Sequence, residues 1–146
     1  MSFFRSKKPY TSVTVKIDSL TRHDRPESIN DVSGVSDLIE NITLQGTGPK
    51  EAGRAIRKKL KYGLPGTQLR ALTILNELIE HGGDQFQKTF LDNNLINRLK
   101  LCATVPSSNY YVKRKCWSLF KLWTKFKFTE GLQKLALLSE VRSTIV

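Results

Sequence analysis

The residues of this chain that could move a proton, hold a metal or attack a carbonyl are few and scattered. Its two histidines, His23 and His81, sit in a polar stretch and at the end of an apolar one, and neither has partners at metal-ligand spacing. His81 falls where a helix would end, a place at which the helix dipole favours a cation, so a capping role accounts for it. Cys102 and Cys116 lie among apolar neighbours and read as small core thiols, not as a disulfide or a nucleophile. Glu77 and Glu80 are the nearest acidic pair, but carboxylates three apart on a helix rim are ordinarily solvated surface. A Gly-rich phosphate loop, a Gly-x-Ser-x-Gly elbow and a paired Cys and His are all absent. The sequence therefore predicts no catalytic residues, no metal ligands and no cofactor: a binding module and not an enzyme.

What remains is charge. The 146 residues carry a formal net charge of +11. Lys50 to Lys61 contributes +5 and Lys113 to Lys127 contributes +6, while the rest of the chain holds 12 basic and 12 acidic residues. Basicity confined to two segments predicts a located anionic partner. In the first segment Arg54, Arg57, Lys58 and Lys61 recur at intervals of three and four, opposite a face of Ala52, Ile56 and Leu60. In the second, Lys113, Arg114, Lys121 and Lys125 accompany a helical apolar pattern of Val112, Cys116, Leu119, Phe120, Trp123 and Phe126. Such stripes suit an anionic membrane or an acidic protein segment, although a solvated basic face also keeps a helix soluble without any partner. Trp117 and Trp123 read as packing residues.

The elements that must position these stripes follow from periodicity and breakers. Residues 1–9 are polar and basic and end in Pro9, as a flexible terminus would. Val13, Val15 and Ile17 alternate as a strand does, while Val13, Ile17 and Leu20 share a helical face, and local pattern leaves both open. Residues 22–33, polar and containing Pro26, read as a loop. Val35, Leu38, Ile39 and Ile42 predict a helix with Ser33 as N-cap and Gly46 as stop. Gly48-Pro49 opens the next, with Pro49 suited to the first helical position, and Gly63 with Pro65 ends it. Gly66 or Thr67 starts a helix through Leu69, Leu72, Leu75 and Ile79 to His81, apolar nearly all round and hence central, closed by Gly82-Gly83. Phe86, Phe90 and Leu91 suggest a short helix. Asp92 caps another carrying Leu95, Ile96, Leu99 and Leu101, and Pro106 to Ser108 break the chain before the second basic helix. Thr129-Glu130 caps a last helix with Leu132, Leu135, Leu138 and Val141. No stretch reaches the roughly 18 apolar residues of a membrane span, and Met1 to Lys8 lacks the hydrophobic region of a secretory signal, so the expectation is a cytoplasmic protein. Seven or eight short helices joined by tight turns imply an all-α superhelical solenoid, one domain over 1–146.

The run Gly48 to Leu60, the run Leu64 to Leu75 and the triplet His81-Gly82-Gly83 resemble the third and fourth helices of VHS domains. The likeness extends through Phe86 and the helix from Val112 to Trp123, and so covers most of the chain. It implies the right-handed superhelix of about eight short helices shared by the VHS and ENTH group, favours helix for Val13 to Leu20, and implies a non-enzymatic adaptor of endocytosis and vesicle trafficking. Within the family the likeness is to the fungal type that joins a VHS domain to GAT helices and links cortical actin assembly to endocytosis. That resemblance implies a monomeric N-terminal part of a longer protein. Its partners would be actin-assembly regulators, ubiquitin and a small GTPase, met at the cell cortex, plasma membrane or endosomes. VHS domains bind ubiquitin through their second and fourth helices, with a tryptophan near the start of the second. The matching surface here is Ser36, Ile39, Glu40, Asn76 and Glu80, and the tryptophan's place is held by Val35 or Ser36, which removes the largest contact from an interface that depends on few anchors. Domains that bind the phosphorylated polymerase tail share this superhelix, so recognition of that tail or of RNA is the alternative. Against nucleic acid stands the lack of exposed aromatics between the basic residues, Trp123 and Phe126 being placed in the core.

Overall fold

Glycine and proline set both boundaries of the two central helices, Gly48–Tyr62 and Pro65–His81. The computed structural model describes residues 12–22, 29–83 and 92–125 together with positions 135 and 137. Among the described residues six α-helices are bounded: α1 Ser12–Thr21, α2 Val35–Leu44, α3 Gly48–Tyr62, α4 Pro65–His81, α5 Asn93–Thr104 and α6 Tyr110–Leu122, the last continued by a 3-10 turn over Trp123–Lys125. No strand occurs among the described residues. The ambiguous alternation near the N-terminus resolves as helix: Val13 and Ile17 are fully buried, whereas Val15 is 55% exposed. Positions four apart share a helical face and positions two apart do not, so the buried pair selects the 3.6-residue period. The expected helices around Phe86 and after Thr129 lie outside the described residues, as do 1–9 and Phe126; Leu135 is buried.

The centre is the hairpin of α3 and α4. α3 packs on α1, α2, α4 and α5, and α4 packs also on α1, α2 and α6. Leu72, Ile74, Leu75, Leu78 and Ile79 are fully buried on α4, as the apolar run predicts, and Ala52, Ile56 and Leu60 face them from α3. Each large aliphatic side chain so buried contributes about 1.5–3 kcal/mol. On α6, Val112, Cys116 and Phe120 are buried and Trp123 closes the stack, its indole N–H donating to Asn76 Oδ1 at 2.9 Å. Trp117 is half-buried and donates to the Ala103 carbonyl at 3.1 Å, so both tryptophans pack.

Several boundaries differ from the sequence reading, each for a local reason. Ser33 is not the N-cap of α2: its N–H and hydroxyl donate to Asp31 Oδ1 at 3.0 and 2.6 Å. Gly34 occupies the cap with φ 87°, and a Cβ there would also press on Leu20 Cδ2 at 2.9 Å, so a tight left-handed entry against α1 replaces the hydroxyl cap. α2 ends at Leu44 because Gln45 is already extended, which makes Gly46 a linker residue and not the stop. Gly48 is the first residue of α3, ahead of Pro49; a Cβ on it would overlap the Ile42 carbonyl, so α2 and α3 approach backbone to backbone. Pro65 starts α4 where Gly66 or Thr67 was expected, its preset φ and missing N–H suiting the first position. Asp92 caps α5 as read, accepting from the Leu95 N–H at 2.9 Å, but Leu101 is 42% exposed and Cys102 and Ala103 take the buried stripe. Asn109, unnoticed in the sequence, caps α6 by accepting from the N–H groups of Tyr111 and Val112 at 2.9 and 3.3 Å.

Candidate functional site

Burying Ala52, Ile56 and Leu60 forces the rest of α3 outward and decides what each of its cations can reach. Arg54 turns back to Glu51, Nη2 to Oε2 2.6 Å, and Lys59 crosses to Asp18 of α1 at 2.8 Å. The outward stripe is therefore narrower than the sequence suggests. It consists of Lys58 and Lys61, both exposed, and Arg57, which is half-buried. Lys61 Nζ stands 5.1 Å above the Tyr62 ring.

The second basic segment divides further. Arg114 and Lys121 are exposed on α6, Lys113 donates to the Pro106 carbonyl at 3.2 Å, and Lys125 pairs with Glu80 of α4 at 2.9 Å. Lys115 turns inward to the Thr73 hydroxyl and to Asn30 Oδ1 at 3.4 Å. Burial and then the nearby Arg70 charge lower its pKa, because both disfavour a further cation. α3 and α6 each pack against α4 and α5.

The five residues matched to the family's ubiquitin surface are only partly presented. Ser36 and Glu40 are exposed one turn apart on α2, and Ile39 packs half-buried against the core. α2 and α4 adjoin, but Asn76 accepts the Trp123 indole and Glu80 holds Lys125. Glu77, the other half of the acidic pair, lies 3.3 Å from His81 Nε2, so the pair serves the end of α4.

Two features escaped the sequence reading. Arg70 is only 4% exposed. Its Nε and Nη2 donate to the Leu20 carbonyl at 3.0 and 2.7 Å, and its Nη1 donates to the carbonyls of Ile29, at 3.2 Å, and Asp31. This fork ties the end of α1 to the approach of α2, and the only sequence signal for it is one arginine inside an apolar run. The second is aromatic: Tyr62, Tyr110 and Tyr111 are 74%, 63% and 64% exposed, beside Lys61 and close to Lys113 and Arg114. These rings flank the two basic segments; between the cations themselves Trp117 is half-buried and Phe120 and Trp123 are buried, while Phe126 lies outside the described residues. Cys102 and Cys116 are buried free thiols, and burial raises the pKa of both. Among the described residues no group of three or more His, Cys, Asp and Glu is placed to hold a metal.

A family model of the VHS domain matches residues 7–143. This chain belongs to the VHS domain family. The VHS domain is 39% identical over 137 residues to protein lsb5 of Schizosaccharomyces pombe, covering 93% of this chain and 44% of that protein. It is 32% identical over 117 residues to vacuolar protein sorting-associated protein 27 of Neurospora crassa, covering 76% of this chain and 15% of the other. Against class E vacuolar protein-sorting machinery protein HSE1 of Cryptococcus neoformans the identity is 23% over 140 residues, 95% of this chain and 20% of that one. The chain thus spans less than half the length of the first relative and a fifth or less of the other two. The all-α stack of the VHS domain is the fold the sequence predicts, with the α3 and α4 hairpin built from the two runs that carry the resemblance.

Proposed function

We propose that this VHS domain is a non-enzymatic adaptor module of endocytosis and vesicle trafficking that rests the outer face of α3 on anionic, phosphoinositide-bearing membrane. The supporting observation is the trio Arg57, Lys58 and Lys61, which face outward and form no ion pair with a described residue, while Arg54 and Lys59 are neutralised beside them. Two of the relatives bear names of vacuolar protein sorting, which fits a role in traffic. No helix among the described residues is long and apolar enough to cross a membrane, so the contact proposed is peripheral. Each cation near an anionic leaflet contributes about 1 kcal/mol, and the sum fades with salt. In this reading the domain fills 1–146 of a longer protein working at the cortex, plasma membrane or endosomes. Actin-assembly regulators, a small GTPase and ubiquitin are met chiefly by GAT helices beyond it, since Asn76 and Glu80 are engaged within the fold. The test is vesicle flotation: Arg57→Gln/Lys58→Gln/Lys61→Gln should weaken binding on the order of a hundredfold, and unchanged flotation would remove the proposal.

A second reading, recognition of RNA or of a phosphorylated polymerase tail, gains support from the exposed tyrosines beside Lys61, Lys113 and Arg114, since bases stack on such rings. Preference for single-stranded RNA over phosphoinositide vesicles at physiological salt would reverse the order of the two.

A further inference from the structure

The cationic face of α3 runs into a turn that leaves apolar side chains in water. Tyr62, the last residue of α3, is 74% exposed, and Leu64, just ahead of α4, is 79% exposed, more than any other large apolar side chain among the described residues. Tyr62 follows Lys58 by one helical turn and shares its face, and Lys61 Nζ stands over the Tyr62 ring. No aspartate or glutamate occurs from Ala52 to Asn76, nor from Asn93 to Thr129, the stretch in which the end of α5 and the following loop share a groove with the turn. The turn is also braced. The Gly63 N–H donates to the Lys59 carbonyl and the Gln68 N–H to the Leu64 carbonyl, both at 2.9 Å, and Gln68 Nε2 donates to the Leu60 carbonyl at 2.8 Å. A Cβ on Gly63 would meet the Lys59 carbonyl and the Thr67 side chain, so the tip follows one tight course. Three carbonyls thus hold internal donors and Pro65 has no N–H to strand, which lowers the cost of taking the turn out of water.

A braced apolar tip in a cationic setting free of carboxylates selects its partner. Two side chains offer far less than the roughly 800 Å² that each partner buries in a stable protein interface. Single-stranded RNA stacks bases on rings such as Tyr62 but has no use for Leu64. A bilayer takes both: a ring with a polar end settles at the headgroup level, an aliphatic side chain passes below it, and lysine stems keep their ammonium groups among the phosphates. Lasting peripheral attachment also takes two signals, of which a basic patch is only one. We infer that the α3–α4 turn is a membrane wedge, with Tyr62 and Leu64 entering the acyl edge of an anionic bilayer while Arg57, Lys58 and Lys61 hold its headgroups. This wedge rests on the membrane reading of α3 given above and adds to it the depth of the contact and the side chains that set it.

The test is flotation with phosphatidylcholine vesicles carrying phosphatidylserine and a phosphoinositide. Tyr62→Ser/Leu64→Ser should weaken binding by about tenfold or more at unchanged Tm, because both side chains already stand in water in the free protein. That loss should persist as salt rises, whereas the loss from Arg57→Gln/Lys58→Gln/Lys61→Gln should shrink. Leu44→Ser is the control: Leu44 is 77% exposed but lies beyond the opposite end of α3, and its replacement should change nothing. Depth is read with Leu64→Trp, whose emission should be quenched by acyl-brominated lipid well beyond that of the parent, in which Trp123 is buried and Trp117 half-buried. Unchanged flotation of Tyr62→Ser/Leu64→Ser, or quenching no greater than the parent's, would overturn the wedge; if the cation variant still loses binding, the surface contact of α3 survives. A loss seen with Tyr62→Ser but not with Leu64→Ser, and matched by lost binding of a single-stranded oligoribonucleotide, would replace the wedge with base stacking. Failure of the parent chain itself to float would remove both the wedge and the membrane reading beneath it.

Discussion

Arg70 joins α4 to backbone carbonyls 39 to 50 residues earlier in the chain. Removing it strands the Leu20, Ile29 and Asp31 oxygens without their charged donor, and hydrogen bonds to a charged group are worth about 1.5–3 kcal/mol each before compensation by water. Arg70→Ala should therefore cost about 3 kcal/mol in urea unfolding and speed amide exchange around residues 29–35. Arg70→Lys should restore little of this, because one ammonium cannot reproduce the fork. A loss under about 1 kcal/mol would show that the clamp is dispensable. The thiols give a pH signature. Burial raises the pKa of Cys102 and Cys116, so the folded chain keeps protons that the unfolded chain releases near pH 8.5. Their contribution is complete below that pH and is lost as pH climbs from it toward the raised folded values. Lys115, with a lowered pKa, acts in the opposite sense in the alkaline range. The comparison is therefore between parent and Cys116→Ala: the parent should lose stability more steeply above about pH 8.5. The burial of both cysteines is readable from their apolar neighbours, whereas Arg70 merely interrupts an apolar run.

The helices themselves were largely legible, since their existence rests on a 3.6-residue apolar period and the ends of α3 and α4 on Gly and Pro. What slipped were the terminal residues, where packing between helices competes with local capping. Gly48 shows this competition: Gly-Pro signals a start, but only the contact with the Ile42 carbonyl shows why the residue before the proline has no side chain. Gly48→Ala should cost about 3 kcal/mol through overpacking, more than a helix-interior Gly→Ala change can return. Chemical denaturation decides it, and a neutral or stabilising result would mean that α2 and α3 separate easily. Asp92→Ala, which removes the carboxylate accepting from the Leu95 N–H, should cost about 1 kcal/mol, with Asp92→Asn close to neutral.

At the scale of the molecule, the order of membrane over nucleic acid is tested by salt: vesicle binding through three α3 cations should fall steadily as ionic strength rises and should be insensitive to Arg114→Gln on α6. Ubiquitin provides a second check. With Val35 buried and Ser36 exposed at the start of α2, millimolar ubiquitin should leave the amides of residues 35–42 and 75–81 nearly unshifted, and Ser36→Trp should create shifts there by restoring an aromatic anchor. By itself the sequence determined that the chain is helical, which face of α3 is apolar, that α4 is central and where positive charge collects, all consequences of periodicity and turn chemistry acting over a few residues. Only the tertiary structure decided which cations face water. Lys59, Lys115 and Lys125 look no different in sequence from Lys58, yet each meets a partner more than 40 positions away, in Asp18, Thr73 and Glu80. Electrostatic pairing depends on distance in space, which only the packing of one helix against another sets.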